Sequence, residues 1–173
     1  MSELRKATAD HPYFLTMSVV GWIDLFTRER YNKIIVDSLE YCIKEKELLV
    51  HEYVIMPSHI HFIMQHLECN LPNVIRDFKS FTAKEILTEV KSQGESRKDW
   101  LLDLFRQFAK KTKQNKEFMV WQKTNHPVEL SNSTSYDQKV NYIYWNPVKG
   151  GYVTEPQNWK YSSACEDSPL ELS

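Results

Sequence analysis

At 173 residues, 42% of them apolar and 13% aromatic, the chain holds enough material for one hydrophobic core and too little for two comfortable domains. No run of about 18 apolar residues exists to span a bilayer, and the opening MSELRKATADHPYF lacks the apolar centre of a signal peptide, so a cytoplasmic location is expected. The formal net charge of −1 gives no global sign of nucleic-acid binding, and three cysteines without CxxC spacing, Cys42, Cys69 and Cys165, argue against a disulfide framework or a cysteine zinc site.

Residues 1–12 are polar and read as a flexible lead-in. The aromatic and β-branched run at 13–22 predicts the first strand, with Gly21 near its end to permit a bulge or turn. Thr27 offers an N-cap to an amphipathic helix over 28–47, marked by Tyr31, Ile34, Ile35, Leu39 and Cys42. Strands follow at 48–56 and 59–66, and the turn at Pro57-Ser58 is so short that they must pair antiparallel. A second helix is predicted from Leu71 up to Gly94, then a flexible polar loop at 93–99.

The third helix, expected from Trp100 to about Lys113, carries Leu101, Leu104, Phe105 and Phe108 on one side. Its tail gathers Arg106, Lys110, Lys111, Lys113 and Lys116 with no acid between 106 and 116, a local basic patch in a chain that lacks a global one. A solvated helix end would show the same run, since cations suit a helix C-terminus. Residues 118–121 read as an edge strand, 131–134 as a capping cluster and 135–145 as the last helix, followed by a docking stretch at 159–163 and a flexible acidic tail at 166–173. This order suits a single α+β domain of ferredoxin-like type: an antiparallel sheet with helices packed on one face, and a separate C-terminal helix.

Two stretches carry chemistry. In YVIMPSHIHFIMQ, His59 and His61 stand at i, i+2 of a strand, so both imidazoles share one face and form half of a metal site. His51, His66 and His126 are candidate extra ligands, and hydrogen bonding is the commoner role for each. In KVNYIYWNPVKGG, Lys139, Tyr142 and Asn146 fall on one side of the helix at i, i+3 and i+7, whereas Tyr144 lies about 200° round from Tyr142 and should pack inward. Asn146 precedes Pro147 and is expected to end the helix.

The segment MPSHIHF resembles the His-hydrophobe-His signature of the HUH single-tyrosine transposases, with Ser58 where that pattern often has Asn. The segment YIYWNPVKGG resembles the C-terminal motif of their REP-associated branch. The resemblance implies that Tyr142 is a nucleophile and that His59, His61 and Asn146 hold a divalent Mg2+ or Mn2+ ion. Lys139, on the same side of the helix, is a candidate to ease loss of the phenol's proton and to bind DNA. It implies DNA transposition and recombination chemistry: cleavage of single-stranded, hairpin-associated DNA through a 5′-phosphotyrosine, followed by strand transfer. Either a monomer or a homodimer is expected. Trp121 and Trp145 are candidate stacking partners for unpaired bases. Two rivals stand beside this reading: a non-catalytic nucleic-acid-binding descendant, and a metal-dependent hydrolase that uses water and leaves Tyr142 dispensable.

Overall fold

The computed structural model describes residues 10–112 and 117–172. Lys113 and Lys116 of the basic run, residues 1–9 of the lead-in and Ser173 lie outside the described residues. Strand β1 is Tyr13–Ser18, β2 is Leu49–Ile55, β3 is His59–Gln65 and β4 is Val128–Glu129. They form one sheet in the order β2-β3-β1-β4, with every neighbouring pair antiparallel.

The alternation of side chains divides the sheet into two faces. Tyr13, Leu15 and Met17 of β1, Tyr53 and Ile55 of β2, and Ile60, Phe62 and Met64 of β3 enter the main core. Helices α1 (Glu29–Lys46) and α2 (Leu71–Lys91) cover that face with Ile35, Leu39, Ile75, Phe78 and Ile86. Helix α3 (Lys98–Lys111) buries Leu101 and Phe105 in the same core. Phe14, Val54 and Ile63 point the other way, where Ile143 of α4 (Ser133–Lys149) packs on them. The α+β class, the antiparallel sheet and the separate C-terminal helix are as expected, and no helix among the described residues is long and apolar enough to cross a membrane.

Several boundaries differ from expectation. Residues 118–121 form no strand: Trp121 makes one isolated bridge to Val19, and the edge strand is Val128–Glu129, beyond Pro127. Between them the chain follows β1 irregularly, with Asn125 accepting a hydrogen bond from Thr16 N at 2.8 Å and His126 at φ 43. Proline has no N–H for a ladder, which explains why pairing here is broken into pieces. The Lys79 ammonium of α2, pushed down to about 8 by burial, holds this segment through Gln122 O at 2.6 Å and Asn125 Oδ1 at 2.7 Å.

The loop at 93–99, expected to be flexible, is tied down by a buried carboxylate. Glu95 receives Arg28, Arg30 and Arg97 at 3.0, 3.0 and 3.2 Å, and the Tyr31 hydroxyl at 2.7 Å. The tail at 166–172 also docks rather than remaining free: Leu170 enters the core, and Tyr53 Oη meets Ser168 Oγ at 2.5 Å. The stretch at 159–163 docks as expected, with Tyr161 O accepting from Ile55 N at 2.8 Å and so covering the edge of β2.

Candidate active site on the α4 face of the sheet

The centre of the site follows from the β1–β3 register. Thr16 stands opposite His61 and Ser18 opposite His59, so the two imidazoles emerge on the face that α4 covers. The hairpin before them is closed by Met56 N donating to His59 O at 2.8 Å, which leaves Pro57 and Ser58 as the connection. The two histidine rings are 4.8 Å apart, centre to centre.

His61 is 4% exposed and stacks on Phe14 at 5.4 Å. Its Nδ1 meets Thr16 Oγ1 at 2.9 Å, while its Nε2 is buried with no hydrogen-bond partner. An orphaned buried nitrogen is costly unless something else satisfies it. Burial, together with the charges of His59 and Lys139, pushes His61 down to about 3, so the ring is neutral at physiological pH. His59 is also lowered, by burial, against the opposing pull of Asp24, and its Nδ1 lies 3.2 Å from Ser58 Oγ. Neutral imidazoles are metal ligands, so the pair fits a divalent ion. Among the described residues no group of three His, Cys, Asp or Glu could hold one, and an amide, water or substrate oxygen would have to complete the shell.

Tyr142 reaches the pair from α4. Its ring is 5.0 Å from that of His61, edge to face at 75°, and 5.8 Å from Phe14. It is 39% exposed, which leaves the phenol open to a substrate. Asn132 caps the start of α4 by accepting from Ser135 N at 2.8 Å, fixing the helix that carries it. The Nζ of Lys139 lies 5.6 Å from the centre of the Tyr142 ring and that of Lys149 lies 5.9 Å from it.

Asn146 does not end the helix, contrary to expectation: α4 continues through Pro147 to Lys149. Pro147 is buried, and the final turn is closed by Gly150 N on Asn146 O at 2.9 Å and Tyr152 N on Pro147 O at 3.0 Å. These contacts offset the proline's disfavoured position. Asn146 thus stays one turn beyond Tyr142 on the same side of α4, half-buried. Tyr144 turns inward as expected, pushed up to about 12 by burial and by Glu52, to which it hydrogen-bonds.

Other expected participants lie elsewhere. His51 sits at the bulge of β2 and meets Gln65 Oε1 at 3.2 Å, at the opposite end of β3 from His59. His66 is buried beside Glu68, and His126 pairs with Thr124. Trp121 is not available for stacking: it is 5% exposed, and its indole donates to Thr82 Oγ1 at 3.0 Å. Trp145 is exposed. On α3, Arg106 is paired with Glu117 at 3.4 Å and lies over Phe118, while Lys110 and Lys111 are exposed. Sequence reasoning missed Phe14, Thr16 and Lys149. Lys149 could have been found at i+7 from Tyr142 had the helix been carried through the proline.

No family model matches the chain. A Haemophilus influenzae protein provisionally named a REP-associated tyrosine transposase is 30% identical over 118 residues, covering 68% of this chain. The chain spans 60% of that protein's length. The fold is similar to a solved REP-associated tyrosine transposase bound to a REP hairpin, with a TM-score of 0.57, 18% identity, and coverage of 94% of this chain and 82% of that one.

Proposed function

Because the chain is a relative of the REP-associated tyrosine transposases, we propose that it is a nuclease and strand transferase that cuts single-stranded, hairpin-associated DNA through a covalent bond to Tyr142. The observation that carries this reading is the contact of an exposed phenol with a buried, neutral His61 whose Nε2 has no partner. In the cutting step the Tyr142 oxygen attacks phosphorus in line, the bond from phosphorus to the 3′ oxygen breaks, and the 5′ phosphate stays on tyrosine. The phenol proton passes to solvent and the departing oxygen leaves as a 3′-hydroxyl. Lys139 and Lys149 flank the ring and lower the cost of negative charge on the attacking oxygen and on the phosphate. A Mg2+ or Mn2+ ion held by His59, His61 and Asn146 would supply a Lewis acid for a non-bridging phosphate oxygen. Thr16 and Phe14 hold the His61 ring in place. The covalent bond conserves the phosphodiester's energy, so a later 3′-hydroxyl can reverse the step and join strands.

The test is Tyr142→Phe on a 5′- and 3′-labelled single strand containing a hairpin, with Mg2+ or Mn2+ present. Wild type is expected to become joined to the 5′ phosphate of the downstream, 3′-labelled fragment and to release the 5′-labelled fragment with a free 3′-hydroxyl, while the variant binds DNA without forming the adduct. Cleavage at the parental rate by Tyr142→Phe would assign the chemistry to water and favour the hydrolase if no adduct forms, or to Tyr144 if one does. Tight binding by wild type without cleavage would favour the non-catalytic descendant.

A further inference from the structure

Trp22 meets the His59 ring as Tyr142 meets the His61 ring. Its ring is 5.3 Å from that of His59 and meets it at 72°, so Trp22, His59, His61 and Tyr142 form a row of successive ring contacts. More than half of the indole's residue surface is open, at 57%. A single exposed aromatic is ordinary. The backbone beneath this one is not: Trp22 has φ 54, a left-handed conformation that is an outlier for a bulky side chain.

The chain is held firmly in that conformation. Gly21 has φ 67, and a Cβ there would come within 2.9 Å of the Phe108 ring, so the turn is pressed onto α3. Val19 N donates to Ser58 O at 3.0 Å, Val20 N to Val120 O at 2.8 Å and Phe26 N to Pro57 O at 2.8 Å. Two of those bonds tie the turn to the hairpin that presents His59. Strain and anchoring together hold the indole outward at the rim, beside His59.

We infer that Trp22 is a stacking platform for an unpaired nucleobase next to the scissile phosphate, an inference that rests on the single-stranded DNA reading above. A phosphate drawn to Tyr142 by Lys139 and Lys149 places the adjoining nucleotides along the ring row, and an indole stacks on any base because every base presents a π-face. Trp22 therefore contributes affinity, and it orders the strand in register with the phenol.

Binding alone tests this, with the full chain in EDTA so that cleavage does not enter. Trp22→Asn removes the indole while keeping a residue that tolerates the left-handed backbone, and Trp22→Phe retains a smaller ring. Fluorescent single-stranded oligonucleotides carrying one abasic position at a time are titrated against each protein, and thermal melting checks the fold. Trp22→Asn is expected to weaken binding of the intact strand about 5- to 150-fold and Trp22→Phe to recover most of that loss. Wild type should show one abasic position that costs affinity, and Trp22→Asn should be indifferent to it. Equal affinity of wild type and Trp22→Asn, or the same abasic profile in both, overturns the inference while leaving the Tyr142 adduct untouched. No affinity of wild type for any strand overturns both readings.

Discussion

Thr16→Val isolates the contact that orients His61. Thr16 stands directly across from His61 in the β1–β3 register, and its Oγ1 is the partner of Nδ1 at 2.9 Å. Valine keeps the branched shape and suits a strand, so the backbone should not change. What is lost is one hydrogen bond to a ring that is 4% exposed and already has an unsatisfied Nε2. A buried nitrogen left without its partner costs about 1–3 kcal/mol. That cost appears twice: as a modest drop in stability without metal, and as a loss of ligand orientation when an ion binds. Removal of an outer partner of a ligating histidine weakens metal binding about 10- to 100-fold, which corresponds to roughly 1.4–2.8 kcal/mol. The assay is Mn2+ binding by electron paramagnetic resonance on the DNA-free chain, with melting followed in parallel. Thr16→Ser, which restores the hydroxyl, should recover the affinity. Unchanged Mn2+ affinity in Thr16→Val, beside a wild type that binds, would refute the assignment of Thr16 as a positioning residue.

Glu95 should make the fold sensitive to acid. Its burial favours the neutral acid, but hydrogen bonds from Arg97 and Tyr31 outweigh that and hold the carboxyl at about 2, below its ordinary 4.5. A depressed folded value means that its contribution is complete above about pH 4.5 and is lost as pH falls towards 2. Glu95→Gln is expected to destabilise the chain by about 3 kcal/mol at pH 7 and to flatten the acid limb of the melting profile; an unaltered acid limb would remove Glu95 from that role. Lys110→Gln and Lys139→Gln should each reduce the salt dependence of single-strand binding by about one phosphate's share, near 0.7 in the log-log slope. A slope unchanged by Lys110→Gln would confine the DNA interface to the α4 face.

The sequence by itself determined the parts of this protein that depend on local periodicity. A period of two placed His59 and His61 on one face of a strand, and the short connection at Pro57-Ser58 forced the hairpin that presents them. Helical spacing likewise put Tyr142 outward and Tyr144 inward. Only the tertiary structure decided which residues complete the constellation. Thr16 meets His61 through a strand register 45 residues apart, and no local pattern encodes that partnership. The course of α4 through Pro147 depends on burial of that ring and on the bonds of Gly150 and Tyr152, a packing gain that outweighs the local cost of proline. The loop at 93–99 and the tail at 166–172 looked mobile because their composition is polar, yet one buried carboxylate facing three arginines and one buried leucine anchor them. Trp22 was not legible for a different reason: it closes the aromatic and β-branched run expected to form the first strand, and only the left-handed turn held between α3 and the hairpin faces it towards solvent.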